Sequence, residues 1–182
     1  MKEGVKVPNV TFKVRVQNED GEYGWQDMTT EDIFAGKKVA VFSLPGAFTP
    51  TCSNYQLPAY EEKYEDLVKH VDDVYCVSVN DSFVMNAWAK DLGIENVKVI
   101  PDGNGAFTRQ MGMLVCKDHL GFGDRSWRYS MICEDGVCKI WNEEPGRNDT
   151  GEDQDPYQVT DPDTMLKQLG DKSFLQDITS NN

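Results

Sequence analysis

The chain has 182 residues, a net charge of −13 and a sequence pI of about 4.5. That length suits one domain, and 39% hydrophobic residues are enough for a core. The acidic excess disfavours a nucleic-acid surface, which needs clustered Lys and Arg, and equally disfavours docking on anionic lipid. No apolar run approaches the length of about 18 residues that a membrane span requires. The start, MKEGVKVPNV, lacks the apolar stretch of a signal peptide, so a cytoplasmic location is expected. Five cysteines, Cys52, Cys76, Cys116, Cys133 and Cys138, form neither a CxxC motif nor an even disulfide framework. His70 and His119 sit in no metal-type spacing, so a metal centre built on His ligands is not expected; no cofactor is expected either.

Taken in chain order, VTFKVRV (10–16) alternates like a half-buried strand, and a turn at GEYG leads into a second strand, which predicts a hairpin. Thr29 or Thr30 caps a short helix that Gly36 stops. KKVAVFSL (37–44) is a buried strand of branched and aromatic residues. Across 50–70, Leu57, Tyr60, Tyr64, Leu67 and Val68 fall on one side of a helix. VYCVSV (74–79) is a second buried strand, and 82–93 a helix with Asp81 or Ser82 at its start and Gly93 at its stop. VKVI is a short strand and PDGNG a tight turn. WRYSMICEDGVCKIWN gives two strands around an Asp135-Gly136 turn. Residues 143–161 are acidic and rich in turn formers, which reads as a long surface loop before a last helix, DPDTMLKQLG. The order β-α-β-α-β then β-β-α predicts an α/β fold. A thioredoxin-like sandwich, with a mixed central sheet and helices on both faces, satisfies it. One domain is expected over 1–170, with a tail at 171–182.

The stretch LPGAFTPTCS (44–53) concentrates the chemistry. It follows the strand 37–44, and the crevice beyond the carboxyl ends of such strands is where α/β sheets place their sites. Thr49 at the N-cap and Pro50 at the first helical position put Cys52 in the first turn. There the helix dipole and unpaired N–H groups favour a thiolate, the nucleophilic form of cysteine. The pattern alone leaves open a plainer reading, Cys52 as a small buried apolar side chain.

PGAFTPTCS, with a Pro, three residues, Thr, two residues and Cys, resembles the peroxidatic motif of the peroxiredoxins, and most of all their type II, five-like subfamily. CVSVNDSFVMNAWAK, IPDGNGAFTRQMGM, GFGDRSWRYSM and DPDTMLKQL match as well, in the right order, over roughly residues 4–170. The likeness extends to the peroxiredoxin part of bacterial peroxiredoxin–glutaredoxin hybrids. It implies a thiol-dependent peroxidase in which Cys52 attacks hydrogen peroxide or an organic hydroperoxide and becomes a sulfenic acid. It further implies that Thr49 binds the peroxide, that Arg128 holds thiolate and peroxide oxygen, and that Pro45 shields the sulfur. Gly46 permits the close approach. Arg125 has two readings, a surface charge or a second support. Gln56 stands where some relatives carry His, a difference expected to leave the central constellation untouched.

Relatives of the two-cysteine kind keep a resolving cysteine in the loop before the last helix, and here 143–161 has none. Cys76 matches a second cysteine of plant relatives. It sits in mid-strand, roughly 13 Å below the strand end at about 3.3 Å per residue, and reads as a buried thiol. With Asp135-Gly136 as a two-residue turn, Cys133 faces Cys138, and two packed thiols are favoured over a disulfide. Cys116 is the more exposed thiol. A one-cysteine mechanism recycled by glutathione with glutaredoxin is therefore expected. Thioredoxin is the alternative reductant, and a homodimer is implied by the family. A peroxide-sensing protein would need the same thiol, but has less need of a peroxide clamp built from Thr49 and Arg128.

Overall fold

The sheet grows outward from KVAVFS. The computed structural model describes residues 2–170, and the expected tail at 171–182 lies outside the described residues. A hairpin of β1 (Thr11–Gln17) and β2 (Tyr23–Thr29) comes first, pairing Thr11 with Thr29. Helix α1 (Thr30–Phe34) follows; Thr29 accepts from the Asp32 N–H while Asp32 accepts from the Thr29 N–H, a capping box. Strand β3 (Lys38–Ser43) is the centre of a five-stranded sheet. On one side it pairs in parallel with β4 (Asp73–Ser78), which pairs in parallel with β5 (Lys98–Pro101). On the other it pairs antiparallel with β8 (Tyr129–Glu134), which pairs with β9 (Val137–Glu143). The mixed sheet expected from the element order is present.

Alternation along β3 divides the core. Val39 and Val41 point to one face, where they meet Phe12 of β1, Ile33 and Phe34 of α1, and Phe107 of α5 (Ala106–Gln110). Ala40, Phe42 and Leu44 point to the other face, under α2 (Leu57–Glu62), α3 (Tyr64–Leu67), α4 (Ser82–Asp91) and α6 (Pro162–Gln168). Phe42 stacks on Tyr60 at 3.8 Å between ring centroids. Helices therefore cover both faces, more heavily on the second, while the β1–β2 hairpin shares the first. Asp81 and Asp161 cap α4 and α6, accepting from the N–H groups of Val84 and Thr164.

Three features depart from the sequence reading. The expected helix over 50–70 is broken at Lys63, whose φ of −94° and ψ of 6° leave the helical range, and Cys52–Gln56 forms a π-helical turn. A small antiparallel pair, β6 (Leu114–Cys116) with β7 (Asp124–Ser126), was not foreseen, nor was α5. The loop expected over 143–161 starts in the last residue of β9, Glu143, and beyond it lacks regular structure but is a strap fastened to the body. Glu144, 1% exposed, accepts at its carboxylate from the N–H groups of Gln158 and Val159. Its own N–H donates to the Arg128 carbonyl at 3.1 Å. No helix among the described residues is long and apolar enough to cross a membrane.

Candidate active site

Beyond Ser43 the chain stays buried through Leu44, Pro45, Gly46 and Ala47 before turning outward at Phe48. Phe48 adopts a φ of 64°, a left-handed conformation that a bulky side chain adopts only when its surroundings hold it there. Two ties hold it. The Ala47 N–H donates to Asn80 Oδ1 at 3.0 Å, joining the loops that follow β3 and β4. Thr49 donates its hydroxyl to the Gly46 carbonyl at 2.7 Å. This corrects the expected side-chain cap: Thr49 Oγ1 spends its proton on Gly46 and keeps its lone pairs as acceptors.

Cys52 starts the π-helical turn, in which the Leu57 N–H reaches back to the Cys52 carbonyl. Such turns insert an extra residue into a helix and recur at functional sites. Here the turn places Cys52 and Gln56, both fully buried, toward the same guanidinium. Arg128, just before β8 and 2% exposed, donates from Nη1 to Cys52 Sγ at 3.4 Å and to Gln56 Oε1. Nη2 donates to Asp155 Oδ1, and the Tyr157 ring lies 5.7 Å from the guanidinium. The expectation that Gln56 leaves the central constellation untouched is thus overturned, since it shares one donor nitrogen with the sulfur.

Pro45 and Gly46 carry a second arginine. Arg125 Nη1 donates to the Pro45 carbonyl at 3.2 Å, and its Nε donates to the Phe122 carbonyl at 3.1 Å. A Cβ on Gly46 would collide with that guanidinium, so glycine is what lets Arg125 lie across the loop. Of its two readings, support of the loop fits the geometry. The structure thus brings together Pro45, Gly46, Thr49, Cys52, Gln56, Arg125 and Arg128 at the carboxyl end of β3.

All five cysteines are free thiols. Cys76 is fully buried two residues before the end of β4, nearer the strand end than the sequence suggested, and on the face that also buries Cys52. Burial pushes its thiol well above the ordinary value, and the nearby Cys52 sulfur adds to the rise. Cys133 pairs with Cys138 across β8 and β9 as expected. The hydrogen bond to Cys138, with burial, holds the Cys133 thiol well above its ordinary value. Cys116 is half-buried on β6. Among the described residues no group of three or more His, Cys, Asp or Glu is placed to hold a metal ion.

Sequence reasoning missed the roles of Gln56 and Asp155. The four-residue step from Cys52 to Gln56 was a readable signal, because such residues share a helix face. Asp155 lies in a segment without periodicity and offered none.

Comparison with known proteins places these features in context. Residues 2–159 match the family model described as Redoxin. A peroxiredoxin of Rhizobium etli is 54% identical over 175 residues, 93% of this chain and 97% of that protein. A hybrid peroxiredoxin of Haemophilus influenzae is 52% identical over 179 residues, 98% of this chain and 70% of its own length. The crystal structure of a Plasmodium falciparum antioxidant protein, described as a 1-Cys peroxiredoxin, superposes with a TM-score of 0.87 at 32% identity. That match covers 93% of this chain and all of the other.

Proposed function

Since the chain belongs to the peroxiredoxins, thiol-dependent peroxidases of the redoxin family, we propose that Cys52 is its peroxide-reducing thiol and that it works by a one-cysteine mechanism. The observation that carries the reading is the bond from buried Arg128 Nη1 to Cys52 Sγ, 3.4 Å long, at the start of a helix. The guanidinium attracts negative charge on or beside the sulfur, and the buried setting strengthens that attraction. The thiolate attacks one oxygen of a hydroperoxide, an S–O bond forms and the O–O bond breaks. Cys52 becomes a sulfenic acid, keeping the attacked oxygen with its hydrogen, and the departing oxygen takes a proton and leaves as water or an alcohol. Negative charge grows on the departing oxygen, so donors fixed near the sulfur lower the barrier. Arg128 supplies them. Thr49, its own proton committed to Gly46, accepts from the peroxide O–H and orients it. Pro45 closes the pocket over the sulfur while its carbonyl anchors Arg125.

Reduction of the sulfenic acid falls to an external thiol. The strap 143–161 carries no cysteine, and burial makes Cys76 a poor nucleophile. Glutathione with glutaredoxin is the reductant favoured by the likeness to peroxiredoxin–glutaredoxin hybrids, and the Plasmodium protein's description as one-cysteine is in keeping. The thiol attacks sulfur, water leaves, and a second thiol releases the mixed disulfide. Cys52 is fully buried, so the first turn has to swing outward for this step. A homodimer through the active-site face is part of the proposal, supported by the exposed side chains of Phe48, Tyr55 and Leu120. So is a cytoplasmic location, where glutathione is abundant. The proposed domain spans residues 1–170.

Replacing Cys52 by Ser tests the assignment. Steady-state consumption of hydrogen peroxide with glutathione and glutaredoxin should fall to the uncatalysed rate. Retained turnover would remove Cys52 from the mechanism.

A further inference from the structure

Arg128 is held less symmetrically than its burial suggests. Nη1 serves two acceptors, Cys52 and Gln56, whereas Nη2 has Asp155. Nε is buried without a partner among the described residues. The orientation of the fork therefore depends on Asp155 at one tip and on the reacting sulfur and Gln56 at the other. A guanidinium is rigid and planar, so a turn about its stem moves every donor at once.

Asp155 is itself tightly placed. Its φ of 52° is a left-handed conformation, uncommon outside glycine though more accessible to Asp than to most residues. The Asp155 N–H donates to Asp153 Oδ2 at 3.0 Å, and Asp153 Oδ1 accepts from Lys117 Nζ at 2.7 Å. That ion pair is buried, its side chains 5% and 7% exposed. Burial works against charge on Asp153, but Lys117 and the Asp155 N–H hold its carboxyl below the usual range. Lys117 lies 5.1 Å from the Trp127 ring, whose Nε1 donates to the Glu144 carbonyl at 2.7 Å. Trp127 is the neighbour of Arg128 in the chain, so the network closes on itself.

We propose that Asp155 is a positioning residue for Arg128, locked in place by the buried Lys117–Asp153 pair, through which the strap governs how well Cys52 attacks peroxide. The proposal rests on the reading of Cys52 and Arg128 given above. A carboxylate beside the guanidinium also competes with the thiolate for its charge. That effect is the smaller one, because the Asp155 side chain is 41% exposed and screened by water. Orientation dominates, so an amide that keeps the acceptor oxygen should substitute for the carboxylate.

The test uses Asp155→Ala and Asp155→Asn in the full chain. Two rates are compared, oxidation of Cys52 by hydrogen peroxide in stopped flow and alkylation of Cys52 by iodoacetamide. Alkylation needs a reactive sulfur but no clamp on a departing oxygen. Asp155→Ala should slow peroxide about tenfold or more and alkylation by less than about threefold, with Asp155→Asn within about threefold of wild type in both. An alanine variant as fast as wild type with peroxide would overturn the proposal. So would a parallel fall in both rates, or an asparagine variant as slow as the alanine one. A wild-type Cys52 indifferent to peroxide would instead overturn the reading on which the proposal rests.

Discussion

Replacing Arg128 by alanine removes three donated hydrogen bonds, to Cys52, Gln56 and Asp155, from a site where the guanidinium is 2% exposed. The contact with Cys52 is the one that changes as sulfur attacks and charge moves onto the departing oxygen. A hydrogen bond to a charged group contributes about 1.5–3 kcal/mol, which converts to a loss of roughly 10- to 150-fold in the rate constant. In this variant no guanidinium remains for Asp155 or Gln56 to orient, so the loss of the other two contacts bears on stability. Asp155 is exposed enough to be hydrated; Gln56 Nε2 keeps its bond to Thr160 Oγ1 at 3.4 Å, and the space the guanidinium vacates has room for a water to serve Gln56 Oε1. The variant should therefore fold, which circular dichroism and thermal melting would verify. Stopped-flow tryptophan fluorescence suits the rate measurement, because Trp88 Nε1 donates to the hydroxyl of Ser53, the residue after Cys52. A folded Arg128→Ala protein that reacts with hydrogen peroxide within about threefold of wild type would refute the argument that this guanidinium stabilises the reacting charge.

Cys76→Ser should leave glutathione-linked turnover nearly unchanged, measured by peroxide consumption; a large loss would restore Cys76 as a resolving thiol. Glu61 gives a pH prediction. Its carboxylate is partly desolvated, which opposes charge, but it accepts from the backbone N–H groups of Val97, Glu95 and Asn96, and these bring its pKa below the ordinary value. A depressed carboxyl contributes stability above its unfolded value of about 4.3, and loses it as pH falls through the lower folded value. Glu61→Gln should therefore cost about 1 kcal/mol, or roughly 2–4 °C in melting temperature, at pH 7. The gap between the two proteins should close in strong acid, and a gap that stays constant with pH would show that the charge of Glu61 is irrelevant.

Much of the fold was readable because local chemistry and global pattern agreed. Asp135 and Gly136 adopt φ values of 48° and 77°, the pair of left-handed residues that a two-residue hairpin turn requires. That turn alone fixed the Cys133–Cys138 pairing. Leu57, Tyr60 and Leu67 are fully buried, as their spacing implied. The π-helical turn escaped because one extra residue hardly disturbs an apolar stripe. Strands of three residues, such as Leu114–Cys116 and Asp124–Ser126, are too short to show a period. The site was legible where its residues are close in sequence, from Pro45 to Cys52. Arg128 was found through family resemblance and not through any spacing. Asp155 depends on contacts that only the folded strap creates.

The most direct measurement is the intact mass of the protein after one equivalent of hydrogen peroxide and then glutathione, with peptide mapping of the modified residue. The account predicts one added oxygen at Cys52, replaced by a single glutathione at the same position. An internal disulfide between Cys52 and another cysteine would contradict the one-cysteine mechanism, and oxidation that spares Cys52 would contradict the account at its centre.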